Sequence, residues 1–219
     1  VIPAQTCYFC ALLTIKPIKT TMMRTILFSF LFLLAFSCGQ QPEAESLDLF
    51  DTDGFTLEEV PGAPGYQRAI KRDAKGLLLQ EGLLLDGVPE GTWLEYTTAS
   101  SHPVKLISFV RGRYDGPYIE FGQQGQIKLR TYYKNNKLDG YWEQYSFSRL
   151  EKSATYKDGQ LEGPSFEFDS FSGKLRKEIY YQAGQLHGPY RFFNDEGQVT
   201  VEYEYREGEK VSGGMVEGE

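Results

Sequence analysis

The chain has 219 residues, 41% of them hydrophobic and 24% charged, long enough for one domain or a short repeat array and too apolar to be disordered throughout. Its 15 Tyr, 15 Phe and 2 Trp beside 23 Gly favour strands joined by glycine-bearing turns over helices, so an all-β class is expected. The formal net charge is -7, and the first 38 residues hold Lys16, Lys19 and Arg24 without a single acid; the remainder is therefore more acidic still, which disfavours nucleic acid or anionic lipid as a partner, since both are held by clustered Lys and Arg.

Residues 1–21 precede the paired Met22 and Met23 and read as an upstream extension from a misplaced gene start. Their Cys7-x-x-Cys10 is one pair without further ligands, too little for a metal site. Residues 22–37 carry Arg24, then an uncharged run from Ile26 to Phe36, then the small Ser37. That run is short of the roughly 20 residues of a membrane span and follows the order of an export signal. The ending "LAFSC" resembles a bacterial lipoprotein box, which implies lipid attachment at Cys38 and residence in the cell envelope, on the outer membrane in a periplasmic or surface-exposed position. Ala35 and Phe36 depart from that pattern, and ordinary signal cleavage is the alternative. No cysteine follows Cys38, so neither a disulfide framework nor a thiolate metal site is expected in the mature chain. Residues 38–60, acidic and without apolar periodicity, read as a solvated tether or a sorting signal.

From residue 61 to 219 the sequence repeats. Gly91, Gly116, Gly140, Gly163, Gly188 and Gly213 are separated by 25, 24, 23, 25 and 25 residues and are taken as turn glycines. Four positions earlier stand Gly87, Gly112, Asn136, Gly159 and Gly184, with Gly208 in the last copy; asparagine fits because it tolerates positive φ. Leu84, Phe109, Tyr133, Tyr156, Tyr181 and Tyr205 recur three residues before those positions, and Ile107, Thr131, Ala154, Ile179 and Tyr203 two residues earlier again, the alternation of strands with one packed face. A second turn recurs at Gly76, Gly125, Gly173 and Gly197. Each repeat is then two strands, and the whole a meander of antiparallel hairpins.

The segments "YKDGQLEGPSFEF" and "YQAGQLHGPYRFF" resemble the variant form of the MORN repeat, and the resemblance covers roughly residues 76–214. It implies an elongated, twisted, single antiparallel sheet of tandem hairpins acting as a non-catalytic platform. Many bacterial proteins with variant repeats of this kind are labelled antitoxins, which implies, as an alternative, an inhibitor of a toxic protein.

Candidate chemistry is sparse. His187 occupies the slot that holds Glu90, Asp115, Asp139, Glu162 and Ser212 in other copies, so a turn role explains it and the acids beside it. The acids offer no distinctive pair for glycoside hydrolysis, and neither a nucleophile elbow nor a phosphate-cradling loop is present. No cofactor, no metal and no enzymatic activity are expected; an enzyme acting on envelope glycans is the remote alternative. The stronger candidate is a binding face formed by Trp93, Tyr118, Trp142 and Tyr190, two residues after the glycines, with Glu95, Glu120 and Gln144 two further on. Taken to alternate with the packed rows, these rings and polar groups suit stacking on an envelope glycan or docking of another protein. The opposing expectation is that they pack ring on ring between repeats.

Overall fold

The computed structural model describes residues 50–99 and 102–216, within one compact unit, Glu45–Glu219. The residues read from the sequence as an extension and an export signal, Cys38, and most of those read as a tether lie outside the described residues. Fourteen strands follow one another: β1 (Phe55–Glu59), β2 (Tyr66–Arg72), β3 (Leu78–Leu85), β4 (Val88–Glu95), β5 (Lys105–Val110), β6 (Arg113–Phe121), β7 (Ile127–Lys134), β8 (Lys137–Ser146), β9 (Arg149–Lys157), β10 (Gln160–Phe168), β11 (Leu175–Gln182), β12 (Gln185–Phe193), β13 (Val199–Arg206) and β14 (Glu209–Met215). They form one sheet in chain order. Every neighbouring pair is antiparallel, and β1 and β14 are its two edges. The protein is thus all-β, and at roughly 4.8 Å per strand the sheet runs about 60 Å from edge to edge.

The boundary placed at residue 60 falls inside this sheet. Phe55–Glu59, read from the sequence as tether, pair with β2 in register, Phe55 opposite Lys71 and Leu57 opposite Ala69. The acids hid the strand because they occupy its exposed positions, as in Glu58 and Glu59.

A second correction concerns the glycines. Gly91, Gly116, Gly140, Gly163 and Gly188 lie within the second strand of each hairpin, where the ladder shifts register, and not in the turns; Gly213 also lies within its strand, paired with Tyr203 and two residues past the shift at Val211. In the first hairpin Leu83 opposes Glu90 and Glu81 opposes Leu94, so Gly91–Trp93 together face Gly82. The glycines supply the positive φ that such a bulge needs, 67° at Gly91 and 115° at Gly116. The true turns are two-residue loops four positions earlier. Asp86-Gly87, Arg111-Gly112, Asn135-Asn136, Asp158-Gly159, Ala183-Gly184 and Glu207-Gly208 all have positive φ at both residues, the turn that matches strand twist.

Turn placement fixes which side chains share a face. With the turn at Asp86-Gly87, Leu84 lies opposite Pro89, and Trp93, four residues on, shares that side. Trp93 in fact opposes Ile107, which opposes Tyr118, and the line continues through Thr131, Trp142, Ala154, Ser165, Ile179 and Tyr190 to Tyr203. The ring row and the small-residue row expected to alternate are therefore one row on one face. Large rings on one strand lean over small or branched neighbours on the next, which buries Ile107, Thr131, Ala154 and Ile179 without a second layer.

The opposite face mixes an opposed apolar line, Leu94, Leu106 and Ile119, with ion pairs. Arg68 pairs with Glu81 at 2.8 Å, Arg130 with Glu143, and Arg191 with both Glu178 at 3.0 Å and Glu202 at 2.8 Å. These partly exposed bridges are screened by solvent and contribute little to stability. The Arg68 hydrogen bond holds the Glu81 carboxyl below its usual range.

Candidate functional site

The acid column has a structural task. Glu90 accepts from the Arg111 amide at 2.7 Å, Asp115 from Asn135 at 3.2 Å, Asp139 from Asp158 at 3.2 Å and Glu162 from Ala183 at 2.7 Å. Each carboxylate thus binds the first amide of the next repeat's turn. The second residue of that turn donates to the strand just before the bulge, Gly112 to Pro89 at 2.8 Å and Gly159 to Leu138 at 2.8 Å. Adjacent repeats are laced at this end by side chain and backbone together.

The two tryptophans occupy equivalent positions in unlike surroundings. Trp93 is 4% exposed. It packs in a cluster with Ala69, Leu84 and Ile107, with Phe50, Phe55 and Phe109 against it. Its indole lies on Gly82, where an added Cβ would come within 2.2 Å of the ring, and its Nε1 donates to the Leu83 carbonyl at 2.9 Å. Phe50, 4.9 Å away between ring centroids, and Phe55 close the cluster from the segment before and at β1. Trp93 is therefore core and does not belong to an open binding face.

Trp142 is half-buried. Beneath it lies Thr131, 1% exposed, whose hydroxyl donates to the Tyr141 carbonyl at 2.9 Å. Trp142 lines a cavity of about 500 Å³ together with Glu120, Ile127, Leu129, Gln144 and Phe147. Of the residues singled out from the sequence, the structure brings Glu120, Trp142 and Gln144 together here. Gln144 donates to Glu151 at 3.0 Å. Glu120 accepts from the Tyr118 hydroxyl at 2.7 Å; Tyr118 itself sits among Tyr114 and Tyr133, and burial first, then this hydrogen bond, raises its phenol well above the ordinary range.

The remaining candidates stand apart. Glu95 pairs with Lys105 at 3.4 Å and accepts from Gln80 at 3.2 Å. Tyr190 packs on Phe192 at 5.2 Å and Tyr205 at 5.8 Å, with the Lys177 ammonium 5.3 Å from its ring. Two further cavities, about 520 Å³ beside the loop after β12 and about 440 Å³ along β14, contain none of the candidate binding residues. Among the described residues no cluster of His, Cys, Asp and Glu is arranged to hold a metal ion.

Sequence reasoning missed Phe147. It stands in the β8–β9 turn with φ 48°, followed by Ser148 at 63°, and is 88% exposed. The signal was available: Phe-Ser occupies a two-residue turn of the kind that elsewhere uses Gly or Asn at its second position.

The class these features define is a single-layer antiparallel repeat protein with a laced end and a groove lined by Trp142. No family model matches the chain, and no curated protein matches it. Solved structures that match include an S. aureus TarM mutant in complex with fondaparinux, α-GlcNAc-glycerol and UDP, at 9% identity and a TM-score of 0.28, over 62% of this chain and 21% of that one. A second TarM structure matches at 11% identity and 0.25, over 58% and 20%. The chain spans about a fifth of their length, and nothing of their chemistry passes to it at that similarity.

Proposed function

We propose that this protein is a non-catalytic binding or scaffolding protein of the bacterial envelope, an array of MORN-variant repeats held at a membrane by a lipid on Cys38. The groove at Trp142 carries the reading, because a ring, a carboxylate and an amide meet there. The acids that an enzyme would draw upon at the other end are bound to turn amides. Export rests on residues 22–37 and the "LAFSC" sequence alone.

Capture from envelope extracts tests it. The intact protein is expected to retain a stoichiometric component that the Trp142→Ala variant loses. Retention of nothing, or turnover of an envelope glycan abolished by Glu120→Gln, would contradict the reading. A captured protein that proves toxic when freed would replace scaffolding with inhibition.

A further inference from the structure

We propose that the groove between Trp142 and Phe147 binds an uncharged oligosaccharide, which rests on the binding role proposed above and names its ligand class. A second row of directly opposed residues crosses the ring face beside the tryptophan row. From Glu95 it runs through Lys105 and Glu120, then Leu129 and Gln144, and resumes charge at Lys152, Glu167 and Lys177. Charges of alternating sign pair along it, as in Lys105 with Glu95 and Lys177 with Glu167. Between Glu95 and Lys177 the row loses its charges at Leu129 and Gln144, where the cavity lies; beyond Lys177 it continues through the apolar Phe192 and Val201. An apolar floor is thus flanked by one carboxylate and one amide, both planar groups that bind hydroxyls. The lining carries Glu120 and Lys128, opposite charges that favour a ligand without net charge.

Phe147 is the independent observation. A phenylalanine with positive φ carries a steric cost that glycine avoids, and exposing its ring gains nothing for the fold. The first residue of every such two-residue turn has this φ, Arg111 and Ala183 included; Phe147 differs in presenting an 88% exposed ring beside the cavity. Here it places an exposed ring at the groove that Trp142 lines, so that two aromatic surfaces meet the C–H faces of sugar rings while Glu120 and Gln144 meet the hydroxyls. An extended peptide fits less well. The strands β6 to β9 are all paired on both sides, so no free backbone edge is available to add a strand to.

The test is calorimetric titration of the intact protein with cellohexaose, chitohexaose and maltohexaose. At least one is expected to bind saturably. Trp142→Ala is expected to weaken that binding by at least about tenfold, and Phe147→Gly to weaken it severalfold while leaving the protein as stable or more so. That combination excludes misfolding as the cause. Absence of saturable binding by all three, or binding untouched by both variants, overturns the proposal. If the sugars fail while envelope extracts still yield a protein lost in Trp142→Ala, the ligand class falls and the binding role stands; if the extracts also yield nothing, both fall.

Discussion

Trp93 and Trp142 hold the same position in their repeats and differ in what covers them. At the N-terminal end, Phe50 and Phe55 roof the indole and Gly82 lets it lie flat on the strand. In the centre no such segment arrives among the described residues, Thr131 supplies the floor, and the indole lines a cavity. One repeat position can therefore serve the core or a ligand, and the flanking chain decides which. A stacked array needs its terminal repeats capped, because each lacks one neighbour. The segment before β1 fills that need here.

The contrast is open to attack at several points. Trp93→Ala is expected to destabilise the protein by about 3–5 kcal/mol, as for a buried aromatic leaving a cavity. Trp142→Ala is expected to cost about 1–2 kcal/mol, in keeping with its partial burial. Urea unfolding of both variants compares them, and equal losses would erase the distinction. Phe50→Ala, which lifts the roof alone, is expected to cost about 1–3 kcal/mol and to shift Trp93 emission to the red. At the laced end, Asp139→Ala removes an acceptor from the Asp158 amide, with an expected loss of about 0.5–2 kcal/mol by analogy with other carboxylate caps. Phe147→Gly has the opposite sign, a gain of about 1 kcal/mol from relieved backbone strain.

The smallest effect lies in the loop after β10. The Ser172 amide and hydroxyl, at 2.8 and 2.9 Å, hold the Asp169 carboxyl down at about 2. The ordinary value is about 3.9. Because the folded value is the lower, the loop's stabilisation is fully present above about pH 4 and is lost as pH falls through about 2. An NMR titration is expected to place the Asp169 midpoint near 2, and Asp169→Asn to remove the transition.

Much of this architecture was legible in the sequence. Glycines spaced 23 to 25 residues apart and rings at fixed offsets gave tandem hairpins, because both features are local. The faces were not legible, since sidedness depends on which residues turn. The turn and the bulge both use positive φ, mostly at glycine, and only backbone pairing separates the bulge at Gly91 from the turn at Gly87. That difference moved Trp93 from an open face to the core. Within the site, Trp142, Glu120 and Gln144 were found by periodicity, whereas Phe147 was missed because it breaks the period. The strand at Phe55–Glu59 was missed because it precedes the first copy and carries acids on its exposed positions.

Acrylamide quenching of variants that each keep one tryptophan measures the difference between the two indoles directly. With Trp142→Phe, the remaining Trp93 is expected to emit in the blue and to resist quenching. With Trp93→Phe, the remaining Trp142 is expected to emit further to the red and to be quenched severalfold more strongly. Equal quenching in two folded variants would contradict a covered N-terminal end and an open centre.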